Sequence, residues 1–373
     1  MKRIPKILLT AALLMAAVCV SAQNKSAGIN LSLWKGAATQ PLDTMQTTYL
    51  NLGLMSSMNR LHGVGVNALG SVVRGDVNGL QLTGLANLAG GSMRGVQMAG
   101  FSNVSGNNSI GLSVAGLVNI AGNDYRGVTI AGLTAIAGDR QSGVMIGGLL
   151  NVVGDSSSGV QLSGIANVVG SNFSGLALSG MLNVAGEDVS GLQVAGLANI
   201  ATKRMNGLQI GLFNYATELH GFQLGLVNAN PDTRIQFLLY GGNTTWANVG
   251  VRFKNRLFYT IVGIGTMQEG LRDKPTFNAS YRAGLSVNLL PKLALSGDLG
   301  YQHIETFKNH DDERIPRRLY ALQARVNLEY QVTRRVGLFA TGGYGITRRY
   351  ACHSRNFDKG AIVEGGIVVE MRN

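Results

Sequence analysis

Between Gly79 and Asn206 the chain repeats itself every 16 residues, eight times, without an insertion or deletion. The units GLQLTGLANLAGGSMR, GVQMAGFSNVSGNNSI, GLSVAGLVNIAGNDYR and GVQLSGIANVVGSNFS share one pattern: G-φ-x-φ-small-G-φ-x-N-φ-small-G, then four variable residues. A short fixed period makes each unit one supersecondary element that must stack on its neighbours to bury a core. This excludes any fold in which the segment is a set of independent helices.

Glycine opens every unit, from Gly79 to Gly191, and recurs at the sixth position from Gly84 to Gly196. Glycine at a fixed position signals positive φ or close backbone approach, which predicts corners there. The runs between corners are four or five residues long and rich in Val, Leu and Ile, predicting short strands. All ten charged residues of the region, among them Arg94, Asp139 and Lys203, fall in the last four positions of their units, predicting one wet arc per coil.

The ninth position holds Asn87, Asn103, Asn119, Asn151, Asn167, Asn183 and Asn199, with Ala135 as the one exception. Stacked about 4.8 Å apart, these amides are expected to form a structural hydrogen-bonded ladder. The other reading of the row is a ligand or metal site, but neutral amides are poor ligands for most metals. A competing architecture, an antiparallel meander with one strand per unit, needs unbroken alternation. The apolar phase instead slips across the sixth-position glycine, from Leu82 to Leu85, which favours a parallel β-solenoid.

Residues 1–22 have a basic start, an apolar centre and a small-residue end at Val20-Ser21-Ala22, the pattern of a secretory signal cut before Gln23. A lipoprotein reading would place the lipid on Cys19. Without the signal, the net charge falls from +12 to +9 and Cys352 is the single cysteine, so no internal disulfide is expected. Cys352-His353 has no second base or ligand nearby in sequence and reads as an ordinary loop pair. Residues 23–48 form an N-terminal segment that offers candidate barrel strands. The repeat domain is placed at 49–230, ending in shorter coils.

After Pro231 the period disappears and long alternating segments begin. In RLYALQARVNLEYQV, Tyr320, Leu322, Ala324, Val326, Leu328, Tyr330 and Val332 share one face, and Gln323, Arg325, Asn327, Glu329 and Gln331 the other. Eight such segments over 231–373, with tight connections alternating with longer polar ones, predict an antiparallel outer-membrane-type β-barrel. A soluble barrel or sandwich uses the same alternation. Arg325 and Glu329 are assigned as a luminal charge pair filling a small barrel.

The sequence holds no HExxH, nucleophile elbow, Walker loop or paired-cysteine zinc pattern, so no catalytic residue, cofactor or metal is predicted. Asp311, Asp312 and Glu313 read as a solvated loop tip. The barrel region carries 20 basic and 12 acidic residues, with pairs at Arg317-Arg318 and Arg348-Arg349. Outer-membrane lipid, including lipopolysaccharide phosphates, is the natural partner for such a rim, with an envelope protein or a glycan as ligand of the repeats. Export and the neutral repeat argue against nucleic acid.

The motif G-[LV]-Q-[LIMV]-x-G-[LF]-x-N resembles the repeats of uncharacterised surface-repeat proteins predicted in Bacteroidetes and spirochaetes, which join a secretion signal to glycine-rich repeats. The resemblance covers 49–230 and brings no catalytic residues. It implies a Gram-negative envelope or surface protein. Together these readings give a non-enzymatic outer-membrane protein whose barrel anchors a rigid repeat domain for binding or scaffolding. The alternatives are a barrel enzyme acting on envelope lipids or glycans, with Asp298 and His303 among its inward residues, and a soluble periplasmic binding module. Strand parity places the repeats in the periplasm, whereas the resemblance suggests the surface.

Overall fold

The computed structural model describes residues 28–34, 37–40, 46–268, 276–307, 318–350 and 356–371. The signal segment, the Cys352-His353 pair and the Asp311–Glu313 tip lie outside them. The chain is all-β and divides into two compact units, Met1–Leu208 and Gln209–Asn373.

The first unit is the predicted parallel solenoid, which runs for about 11 turns over its whole length. Each 16-residue coil contributes a seven-residue strand such as Met93–Ala99 and a four-residue strand such as Ser102–Ser105. Each pairs in parallel with the residue 16 further on, Gly95 with Gly111 and Asn103 with Asn119. The stack begins earlier than the sequence suggested. Ile29–Trp34 pairs in parallel with Thr47–Met58, residue 29 with 50, so these two segments are solenoid strands and not barrel strands.

The two glycine rows have different causes. The opening glycines lie inside the longer strand, not at a corner, and bend it with φ between 114° and 137° from Gly79 to Gly207. The sixth-position glycines sit at the bend between strands. There a Cβ on Gly100 would collide with the carbonyl oxygen of Gly84 one coil below. The polarity of the coil is the reverse of a soluble core. Positions 3, 5, 9, 11 and 15 point inward and hold Gln, Asn, Ala, Ser and a few larger side chains, whereas the Leu, Val and Ile of positions 2, 4, 7 and 10 point outward. Position 15 was expected in the wet arc, yet Tyr125 and Phe173 there are buried. It opens the long strand, and alternation turns it inward.

The second unit starts with the last short coils and closes into an antiparallel barrel of eight strands: Arg234–Gly242, Thr245–Lys254, Phe258–Gln268, Thr276–Leu290, Leu293–Thr306, Arg318–Gln331, Val336–Arg349 and Asn356–Glu370. The first strand pairs with the last, Gln236 opposite Glu370. Arg234 pairs with Lys254, next to the 255–257 turn, so the barrel begins and ends at the rim that carries the tight turns 255–257, 291–292 and 332–335; the two-residue turn 243–244 lies at the other rim, with the longer connections. Against that rim pack residues of the final coils. Asn228 donates to Thr260 Oγ1 at 2.8 Å, and Phe222 meets Phe258 edge-on at 5.6 Å.

Candidate functional site

Three arrangements of polar side chains stand out in the structure. The first is the interior of the solenoid. Asn87 Nδ2 donates to Asn103 Oδ1 at 2.8 Å, and Asn103 to Asn119 at 2.9 Å; after the gap at Ala135, Asn151 donates to Asn167, Asn167 to Asn183 and Asn183 to Asn199 at 2.8, 2.8 and 2.9 Å. Each Nδ2 also reaches a strand carbonyl in the next coil, as Asn167 does to Leu178 O at 2.9 Å. The row extends beyond the regular repeat, from Asn30 to Asn51 and Asn67, and again from Asn214 to Asn228. A second row at position 3 links Gln97 to Gln81. All these amides are buried and mutually engaged, so the rows are internal structure and hold no open face to a ligand. At the Ala135 gap, Asn151 Oδ1 is buried without a hydrogen-bond partner.

The second is a groove of about 680 Å³ along the charged arc, spanning residues 124–206. Its rims are short polar side chains, including Ser142, Ser158, Asn172 and Ser174. Its floor holds the inward position 15, where Ser157 Oγ donates to Gln141 Oε1 at 2.6 Å and receives Gln161 Nε2 at 2.8 Å. Tyr125 Oη and Gln141 Nε2, both lining the groove and buried, have no partner among the described residues. Exposed ion pairs bridge successive coils, Lys203 to Glu187 at 2.8 Å and Arg204 to Asp188 at 3.8 Å. The hydrogen bond to Glu187 holds the Lys203 ammonium charged above its usual range, although exposed pairs of this kind add little stability.

The third is the barrel lumen, where strand alternation gathers three arginines and three acids. Asp298 accepts from Arg282 Nε and Nη2 at 2.8 and 2.7 Å, from Tyr259 Oη at 2.7 Å and from Asn327 Nδ2 at 2.9 Å. Arg325 holds Glu364 through both Nε and Nη2 at 3.1 Å. Arg252 donates to Glu329 at 2.7 Å and to Gln236 at 2.6 Å. Arg325 and Glu329 are therefore both luminal and both paired, but not to each other. Four residues along a strand separate them by about 13 Å, and the pairing runs across strands instead. His303 is corrected too: it lies on the outward face, within 2.9 Å of Tyr350 Oη, while Gln302 and Ile304 point inward. Alternation alone marks Arg282, Arg252 and Glu364 as inward residues; their partners follow only from the barrel's register.

Chemically, the lumen is a filled, charge-balanced plug. Asp298 has its oxygens committed to three donors, which leaves it neither a free base nor a nucleophile. Among the described residues, no cluster of three or more His, Cys, Asp or Glu is placed to hold a metal.

Outside, the barrel wall is apolar: Leu299 is 72% exposed and Val363 64%. Trp246, Phe277, Tyr301, Phe307, Tyr344 and Tyr350 are exposed near the rim opposite the tight turns. Arg318, paired to Glu305 at 3.5 Å, stands at that same rim with Arg348 and Arg349.

No family model matches the chain, and no curated protein does. Among solved structures it is similar to a de novo designed transmembrane β-barrel (14% identity, 38% of this chain and 98% of that one, TM-score 0.24). It is also similar to the outer membrane protein Ail of Yersinia pestis in a phospholipid bilayer nanodisc (14%, 37% and 98%, TM-score 0.25) and to Neisserial surface protein A (10%, 37% and 96%, TM-score 0.26).

Proposed function

We propose that the protein is a non-enzymatic outer-membrane protein whose barrel anchors the solenoid as a rigid surface for binding or scaffolding. The observation that carries this reading is the sorting of side chains across the barrel wall. Charged groups are gathered and paired in the lumen, the outward face is aliphatic, and an aromatic girdle sits near one rim, which is the distribution a bilayer selects. Among the described residues no helix is long and apolar enough to cross a membrane. A lumen closed by paired side chains favours an anchor over a pore or a luminal enzyme. Lipopolysaccharide phosphates suit the arginines at the aromatic rim.

The ligand side of the solenoid is the polar groove. Its hydroxyls and amides recur every coil, about 4.8 Å apart, a spacing suited to an extended polyhydroxylated chain such as an envelope glycan. With tight turns on the periplasmic side, as is usual for such barrels, the chain enters the barrel from the periplasm and the solenoid resides there. Membrane fractionation tests the anchor: recovery in the outer membrane after high-salt and carbonate washing is expected, and a fully soluble periplasmic protein would leave only the binding-module reading. An epitope inserted between Asp155 and Ser156, ahead of the buried Ser157, tests the side. Labelling of intact cells would place the solenoid on the surface, in line with the surface-repeat resemblance and against the parity argument.

A further inference from the structure

We propose that the outward faces of the solenoid are themselves covered by hydrocarbon, namely the acyl chains of a phospholipid leaflet. This rests on the membrane reading of the barrel and extends it to the repeat domain, for which only the polar arc has so far been given a partner. In the eight regular coils, positions 2, 4, 7 and 10 hold 32 side chains, and all are Leu, Val, Ile or Met except Phe101. No charged residue occurs in the first twelve positions of any of these eight coils. These side chains face outward: along the seventh-position row, exposure runs from 36% at Leu117 to 54% at Phe101. In a parallel stack each side chain is shielded above and below by its neighbours, so values of this size mean that the seventh-position row is open outward, flanked by mostly half-buried rows at positions 2, 4 and 10.

The extent of this surface decides between occupants. Nine residues across, at about 3.3 Å each, and eight coils along, at about 4.8 Å each, give roughly 1,100 Å² of nearly uncharged surface. The largest apolar patch on a typical soluble monomer is about 300–600 Å². Protein interfaces of that area concentrate Tyr, Trp and Arg anchors within a polar rim; here there is one aromatic ring and no cation. The surface also bends. The strand carrying positions 2 and 4 and the strand carrying positions 8 and 10 are separated by the glycine bend at positions 6 and 7, as at Gly100-Phe101. A rigid partner that fits one face leaves the other wet, whereas fluid hydrocarbon follows both. The inside of the same coils is lined with Asn, Gln, Ser and Ala at positions 3, 5, 9 and 11 for the most part, with larger apolar side chains such as Met93, Tyr125 and Phe173 at position 15, so the leucine-rich rows lie outside and the buried amides inside. Charges confined to one arc complete an amphipathic cross-section, which settles into a bilayer interface with that arc toward water.

The test uses the full chain with C19S and C352S, carrying one new cysteine at a time and labelled with an environment-sensitive fluorophore. Leu133→Cys and Ile165→Cys probe the apolar faces, Ser158→Cys the polar arc and Leu299→Cys the barrel wall. The proteins are reconstituted into phosphatidylcholine vesicles whose acyl chains are either plain or brominated. Emission at residues 133 and 165 is expected to shift to the blue and to be quenched by bromine to a degree comparable with residue 299, while residue 158 is unaffected. Quenching at 299 without quenching at 133 and 165 overturns the inference and leaves the anchor standing. Loss of quenching at all sites overturns both. A blue shift at 133 and 165 that grows with protein density but is insensitive to bromine would mean that a second copy covers these faces, and it too overturns the proposal.

Discussion

Replacing Asn167 by alanine removes an inner member of the unbroken four-residue run Asn151, Asn167, Asn183 and Asn199 of the asparagine ladder. Three hydrogen bonds disappear: Asn151 to Asn167 at 2.8 Å, Asn167 to Asn183 at 2.8 Å and Asn167 to the Leu178 carbonyl at 2.9 Å. At about 1 kcal/mol net each, these account for about 3 kcal/mol. Asn151 keeps its bond to the Leu162 carbonyl, but Asn183 Oδ1 loses its ladder donor in the buried interior. For that bond the cost is instead that of an orphaned buried acceptor, about 1–3 kcal/mol, so local destabilisation of about 3–5 kcal/mol in all is expected. Hydrogen–deuterium exchange of the full chain reads this directly. Amides in the coils between Ser157 and Ile200 should exchange through openings easier by that amount, while barrel amides from Arg234 onward keep their protection. A change below about 1 kcal/mol would refute the reasoning, because it would mean that water replaces the amides at no cost and that the interior is wet.

The remaining predictions probe the two units separately. Ala135→Asn fills the natural gap in the row and gives Asn151 Oδ1 a donor, so protection of the coils on either side should rise by about 1–2 kcal/mol in the same exchange experiment; a fall would show that Met145 and Thr129 leave the amide no room. Gly100→Ala should fail more severely than a surface substitution, because its Cβ would enter the Gly84 carbonyl; loss of protection across several coils is expected, and wild-type protection would contradict the stacking distance. In the lumen, Asp298→Asn leaves Arg282 with Glu364 at 3.9 Å as its nearest acid, at a cost of about 3–5 kcal/mol for one broken buried pair. Thermal unfolding in detergent, followed by circular dichroism, should show the barrel melting earlier, and an unchanged midpoint would mean that the luminal network is not structural.

Much of this architecture is legible in the chain. The 16-residue period and the phase slip at the sixth-position glycine specify two strands per coil, and the run from Leu319 to Gln331 announces a wall with two faces. What alternation cannot state is which face is inside. In the repeat the Leu, Val and Ile rows lie outward because positions 3, 5, 9 and 11 of the interior hold mostly Ala, Ser, Thr and flat amides, with larger side chains such as Met93, Tyr125 and Phe173 gathered at position 15; the cue available in the sequence was size, small residues alternating with Leu and Val, and not polarity. The luminal pairing was misread for a related reason. Arg325 and Glu329 look like partners at a separation of four, but that spacing brings side chains together on a helix and spreads them apart on a strand. Their true partners, Glu364 and Arg252, are 39 and 77 residues away and depend on barrel closure.

The exact in-register stack has a consequence for how such a chain can change in length. Every coil of the regular repeat meets its neighbours through the same residue positions, so removal of 16 residues, Gly143 through Ser158 for example, rejoins glycine to glycine and strand to strand and shortens the stack by about 4.8 Å. Removal of one residue instead exchanges the two faces of every strand that follows until the register recovers, driving leucines into an interior sized for asparagine and turning amides out. Within the regular repeat, lengths between whole coils are therefore closed, and this part of the solenoid can grow or shrink across generations only in steps of a complete turn.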